Sequence, residues 1–250
     1  MRRTLWVVAV DDAPVVMVAA AADVAVTERR KLQGLLEGLT GNTPVPAWLA
    51  DLERRVLGLM ADGQARRTAE LSREIPRLQT QITLGSGKWS GQAPLSSRLL
   101  FLLAMEGHLV RGPSATWRSS QYAWVATGTW FADDDAPTAD AASANTSTAD
   151  AARTALARRY LASFGPATSL DLKWWTGWTV KRTAAALAAV GAVEITTEDG
   201  PAWVLPGDLP AADPPPHDAP LVTLLPSLDP TANGLEGPGL HHRPAHPAAV

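Results

Sequence analysis

The sequence predicts an α+β fold in which one small supersecondary unit is used twice. Segments with helical periodicity alternate with short β-branched runs. The order helix, short helix, helix, two-stranded hairpin is readable over residues 46–130 and again over 151–206. Between the two lies an acidic spacer, 131–150, which holds Asp133, Asp134, Asp135, Asp140 and Asp150.

Residues 4–10 (TLWVVAV) are β-branched and aromatic without a helical period, and Pro14 follows, so a strand is expected there. Asp11 or Asp12 then caps a helix running to Ala22. Thr27 opens a charged helix that reaches Leu39 and is ended by Gly41 and Pro44. Pro46 begins the next helix, with Trp48, Leu49, Leu52, Val56, Leu59 and Met60 at three-to-four spacing and Gly63 closing it. Thr68 caps a short helix that Pro76 ends. The Gly-rich stretch 85–91 reads as a turn. It contains Gly-Lys, but Trp89 stands where a phosphate-cradling loop needs a hydroxyl. Ser96 and Ser97 cap an apolar helix over 98–106, Gly107 stops it, and strands over 108–111 and 116–125 form a hairpin.

The second reading follows the same order. Residues 151–164 form a helix with Leu156, Tyr160 and Leu161 on one face, and 165–169 break the chain. A short helix spans 170–175. Thr179 caps a third helix to Val190, which Gly191 stops. Strands over 193–197 and 202–205 turn at Glu198, Asp199 and Gly200. This is the element order of a winged helix. The expected organisation is therefore a remnant of a first module over 1–45, winged helices over 46–130 and 151–206 around the spacer, and a Pro-rich linker over 207–220. Residues 221–250 carry one strand (221–225) and an aperiodic, disordered tail.

The 250 residues suffice for a buried core, and 46% hydrophobic with 19% charged residues is ordinary for a globular chain. No apolar run is long enough to span a membrane, and Asp11, Asp12 and Asp23 flank the apolar stretch 15–22 in a way a secretory signal does not. A cytoplasmic protein is expected. With no cysteine, disulfides, thiolate metal sites and cysteine nucleophiles are excluded. Net charge is −3, yet from Arg54 to Arg118 ten cations face only four acids. A basic middle between acidic connectors is compatible with phosphate binding and equally with solvated helix faces.

The candidate recognition helix of the first unit, 97–105 (SRLLFLLAM), offers Arg98 and otherwise reads as core. Lys88, Arg111 and Arg118 flank it from loop and wing as phosphate-binding candidates. Lys173, Lys181 and Arg182 take the equivalent part in the second unit. Gln79 and Gln81 place two amides on an extended segment and read as structural. His241, His242 and His246 sit in a Pro- and Gly-rich tail without an acidic partner, so no metal and no organic cofactor is expected.

Residues 164–178 (FGPATSLDLKWWTGW) resemble a motif of the bacterial winged-helix family that includes the interstrand-crosslink DNA glycosylases of the AlkZ and YcaQ type. Three further matches stand in the same order: 1–8 (MRRTLWVV), 106–122 with its Gly-His-Leu-Val-Arg and Trp-Arg-Ser-Ser-Gln-Tyr, and 224–230 (LLPSLDP). The resemblance implies tandem winged helices followed by a C-terminal β-barrel, of which this chain has the stub, and excision of alkylated or crosslinked bases from double-stranded DNA. It also implies a catalytic Gln-x-Gln or Gln-x-Asp pair upstream of the MRRTLWVV match. No such pair is carried onto Gln79-Thr-Gln81, which lies in the second module and has a polar centre. After LLPSLDP the resemblance implies Met-Gly-Trp and a charged Arg-Asp. Codons for 233–240 exist whose shifted frame reads Met-Gly-Trp-Lys-Gly-Arg-Asp. The sequence thus predicts a family member truncated at both ends, a monomer that binds DNA but is catalytically incomplete for base excision. The alternative is a non-enzymatic winged-helix transcriptional regulator.

Overall fold

The computed structural model describes residues 8–114, 116, 121–131, 146–197 and 200–209. Helices and three small antiparallel sheets make up the described chain, so the α+β expectation holds. Its described residues divide into two units, one over 8–148 and the other from residue 149 to 209.

In the first unit α1, Ala13–Val16, continues through a π turn at Met17–Ala21 into α2, Ala22–Leu35. Two corrections follow. Val8–Val10 is not strand, because a 3₁₀ turn at Val10–Asp12 already winds the chain toward Pro14, whose fixed φ suits a helix start. Thr27 opens nothing: it lies inside a continuous helix that ends at Leu35 rather than Leu39. α3, Val45–Met60, starts with Pro in its first turn and buries Leu49, Leu52, Val56 and Met60, one stripe at helical spacing. β1, Arg66–Arg67, leads into α4, Thr68–Glu74, and Pro76 opens a 3₁₀ turn to Gln79. Thr68 is not the cap. The Glu70 carboxylate accepts the Arg67 backbone N–H at 2.8 Å, leaving the Thr68 hydroxyl to accept the Trp124 indole N–H at 3.0 Å.

The stretch expected to be only a turn belongs to a hairpin. β2, Gln81–Leu84, pairs antiparallel with β3, Gly91–Pro94, and a 3₁₀ turn at Gly87–Trp89 joins them. Ile82 is fully buried and fixes the hairpin to the core. α5, Ser96–Met105, follows with Leu95 at its N-cap, so neither serine caps it; Ser97 Oγ donates instead to the Pro94 carbonyl at 2.8 Å. Gly107 ends α5 at φ 84°. β4, Leu109–Ser114, and β5, Tyr122–Ala126, complete a three-stranded sheet of order β1-β5-β4, and α6, Thr127–Trp130, follows. Ala25, Leu32 and Leu36 share one core with the buried residues of α3, α4, α5 and the sheet. At its edge Arg29 reaches Glu53 at 2.9 Å and Glu106 at 2.7 Å, tying α2 to α3 and to the end of α5.

In the second unit α7, Thr146–Phe164, starts earlier than residue 151, so part of the acidic spacer is helical. Asp150 pairs there with Arg153 at 2.7 Å. α8, Ser169–Thr176, and α9, Val180–Val190, are capped by Thr168 and Thr179, and left-handed Gly177 and Gly191 end them. β6, Val193–Thr197, pairs with β7, Gly200–Val204. Tyr160 packs against Phe164 and Trp175, and burial pushes its phenol well above the ordinary range.

The two units repeat each other in detail that sequence comparison does not reveal. In each, an extended residue two before the short helix pairs with a tryptophan of the last strand: Arg66 with Trp124, and Ala167 with Trp203. In each, that indole N–H donates to the hydroxyl of the helix's first residue, Trp124 to Thr68 at 3.0 Å and Trp203 to Ser169 at 2.9 Å. In each, the acid at the helix's third position accepts the N-cap N–H, Glu70 from Arg67 and Asp171 from Thr168. Residues 1–7, Arg118, the expected linker beyond residue 209 and the barrel stub with its histidines lie outside the described residues.

Candidate nucleic-acid interface

Counting back from the glycine that ends each third helix aligns the two units at their cations. Arg98 stands nine residues before Gly107, and Arg182 nine before Gly191. The bonds around both glycines match, since His108 N donates to Leu103 O and Ala192 N to Leu187 O. Both arginines therefore occupy the first turn of the helix that precedes the hairpin, with Lys181 beside Arg182. Arg98 is half-buried, and Lys181 and Arg182 are exposed. Neither first turn contains an acid. A cation at this end opposes the helix dipole, by about 0.3–1 kcal/mol. An anion docked at the same end would reverse the sign.

The rest of α5 behaves as its composition predicts. Leu99, Leu100, Leu102 and Leu103 are buried, leaving little of the helix to read base edges. On α9 the buried stripe is Thr183, Ala186, Leu187 and Val190, and Ala184, Ala185, Ala188 and Ala189 face solvent. Such a low helix face allows close approach of a bulky partner but provides no hydrogen bonds.

The other candidates separate by environment. Arg111 lies on β4 with its guanidinium 4.1 Å from the Tyr122 ring centroid and 5.5 Å from that of Trp124, so it is held as a half-buried cation on an aromatic shelf. Lys88 lies on the β2–β3 turn, with its ammonium 5.8 Å from the Trp89 ring. Lys173 is half-buried on α8, away from the first turn of α9 in sequence. By contrast, Arg54, Arg55 and Arg77 are committed to Asp51, Arg66 to Asp62 and Arg67 to Glu70. The Arg66 guanidinium holds the Asp62 carboxyl down at about 2. Among the described residues Lys88, Arg98 and Arg111 have no carboxylate within ion-pair distance, as do Arg30 and Arg73 elsewhere on the unit.

The glutamine pair is locally occupied. Gln79 Nε2 donates to the Ser72 carbonyl at 3.0 Å, and Gln81 Nε2 donates to the Gln79 carbonyl at 2.9 Å. Among the described residues no group of acids and histidines is arranged to hold a metal, and no helix is long and apolar enough to cross a membrane. What sequence reasoning missed is Trp89, an 81% exposed tryptophan at a hairpin tip; the Gly-rich composition signalled the turn but not the strands around it.

The family model described as DNA glycosylase AlkZ-like matches residues 1–234. Among solved structures, the Streptomyces sahachiroi DNA glycosylase AlkZ is similar at 21% identity and a TM-score of 0.44. The similarity covers 65% of this chain and 41% of that one, so the present chain matches about two fifths of that chain's length. No curated protein matches.

Proposed function

This chain belongs to the AlkZ-like DNA glycosylase family, and from that premise we propose that its two units are winged-helix modules that bind double-stranded DNA in repair of alkylated or crosslinked bases. The element order, and the pairing of the segment before each short helix with the last strand, support the winged-helix reading. The observation that carries DNA binding is the matched position of Arg98 and Arg182, at the helix end that enters a groove or meets phosphate in this architecture. Lys181 and Lys173 in the second unit and Lys88, Arg111 and Arg118 in the first extend the phosphate-binding surface. Arg111 is pre-oriented by its two rings, so ordering it on a phosphate costs little side-chain entropy.

The described residues are assigned no part in bond cleavage. Gln79 and Gln81 each donate to a nearby backbone carbonyl and lie outside the expected first module, so they are not read as the family's catalytic pair. The chain is proposed to act as a cytoplasmic monomer without metal or organic cofactor. Fluorescence anisotropy with labelled duplexes of unrelated sequence tests the reading. Affinity that depends on salt but not on sequence, and rises for alkylated or distorted duplex, is expected. Protection of one short sequence with weak binding elsewhere would instead identify a transcriptional regulator.

A further inference from the structure

The first unit carries a hairpin that the second lacks. From the end of α8 to the start of α9 only Gly177, Trp178 and Thr179 intervene, whereas β2 and β3 are inserted between α4 and α5. The insertion is rooted at the same helix end that bears Arg98. Leu95 N donates to the Thr80 carbonyl at 2.8 Å, Ser97 Oγ bonds Pro94, and Ile82 is fully buried beneath. From that root the paired strands extend four residues, roughly 13 Å. The tip is built rather than slack. Gly85 has φ +78°, a Cβ there would lie 2.4 Å from the Trp89 carbonyl oxygen, and Gly87 has φ +56°. This geometry holds Trp89 81% exposed, the most exposed large hydrophobic residue described. The charge around it is one-sided: no Asp or Glu occurs between Glu74 and Glu106, and Arg77, Lys88 and Arg98 do.

An exposed indole at a hairpin tip, a lysine beside it and no acid along the arm match a stacked base next to a phosphate. We infer that the β2–β3 hairpin is a nucleic-acid probe in which Trp89 stacks on an unpaired or unstacked base while Lys88 meets the adjoining phosphate. This rests on the DNA-binding reading above and adds to it a preference for sites where stacking is already broken, since an intact duplex keeps its base faces covered.

The test uses the whole chain and two fluorescein-labelled duplexes of one sequence, the second with a central two-base mismatch, titrated at the same salt concentration. Wild type is expected to prefer the mismatched duplex. Trp89→Ala is expected to lose about tenfold on that duplex and little on the intact one. Trp89→Phe should retain most of the preference. Lys88→Gln should weaken both duplexes alike and lower the salt slope by about 1. Equal affinities of wild type and Trp89→Ala for both duplexes would overturn the probe while leaving DNA binding intact. No binding by wild type to either would overturn both. A wild-type dimer that Trp89→Ala converts to monomer in sedimentation would make the indole a self-association contact and end the inference.

Discussion

Replacing Arg98 and Arg182 by glutamine, singly and together, removes charge from the matched helix ends while keeping a side chain of similar reach. Each phosphate contact on duplex DNA contributes about 0.9 to the fall of log affinity with log salt. Carried from about 1 M, where this electrostatic part vanishes, to about 0.1 M, one contact is worth roughly eightfold and two roughly sixtyfold. Each single variant should therefore bind a labelled duplex about eightfold more weakly at 0.1 M salt, with its slope reduced by about 0.9. The double variant should show a slope reduced by about 2. The fold of the Arg98 variant should not suffer, because the first turn of α5 contains no acid and a cation there opposes the helix dipole. Its thermal midpoint followed by circular dichroism is expected to hold within about 3 °C. Unchanged slopes in both variants would refute the reasoning. A change in only one would mean that the two units do not meet DNA equivalently.

Arg29 should matter more to stability than either glutamate it holds. Arg29→Ala leaves Glu53 and Glu106 facing each other at the edge of the core and is expected to cost about 2 kcal/mol in urea unfolding, a value reduced for partial exposure. Glu53→Gln should be neutral or stabilising at pH 7, because burial raises the Glu53 pKa despite the pull of Arg29. A raised folded pKa contributes most below 4.5 and loses that contribution as pH rises through the folded value, so the stability of wild type minus Glu53→Gln should fall between pH 4 and pH 7. Leu99→Ala empties a fully buried site in α5 and should cost about 3 kcal/mol, measured by the same unfolding experiment. Thr168→Ala should cost about 1 kcal/mol, since its hydroxyl caps α8, whereas Arg67→Ala should cost under about 0.5 kcal/mol because Glu70 still accepts the backbone N–H at that position.

The helices that sequence predicts best are those whose ends have a local cause. α9 runs between the Thr179 cap and left-handed Gly191, and α8 starts at the Thr168–Asp171 box, all visible as residue types at fixed spacing. The β2–β3 hairpin is hard to read from sequence because QITL is only four residues long and its partner strand, GQAP, carries little β-propensity and ends in proline. Its register is set by backbone pairing, two positive-φ glycines and one buried isoleucine. The converse holds at Val8–Val10, where β-branched residues look like strand but stand just before the proline-led helix start. Candidate cations could be picked from the sequence, but their ranking could not. In the sequence Arg54, Arg55, Arg66, Arg67 and Arg77 are indistinguishable in charge from Arg98, and only the fold shows that each is engaged by a carboxylate. The equivalence of Arg98 and Arg182 becomes visible once the two helices are aligned on their terminal glycines.

The most direct measurement is equilibrium binding of the whole chain to three labelled duplexes, two intact with unrelated sequences and one with a central alkylated base, across about 50 to 300 mM salt. The account predicts equal affinity for the two intact duplexes, tighter binding to the alkylated one, and a log–log slope of several units shared by all three. Correctly folded protein that binds none of them at the lowest salt, or binds with a slope near zero, would contradict it.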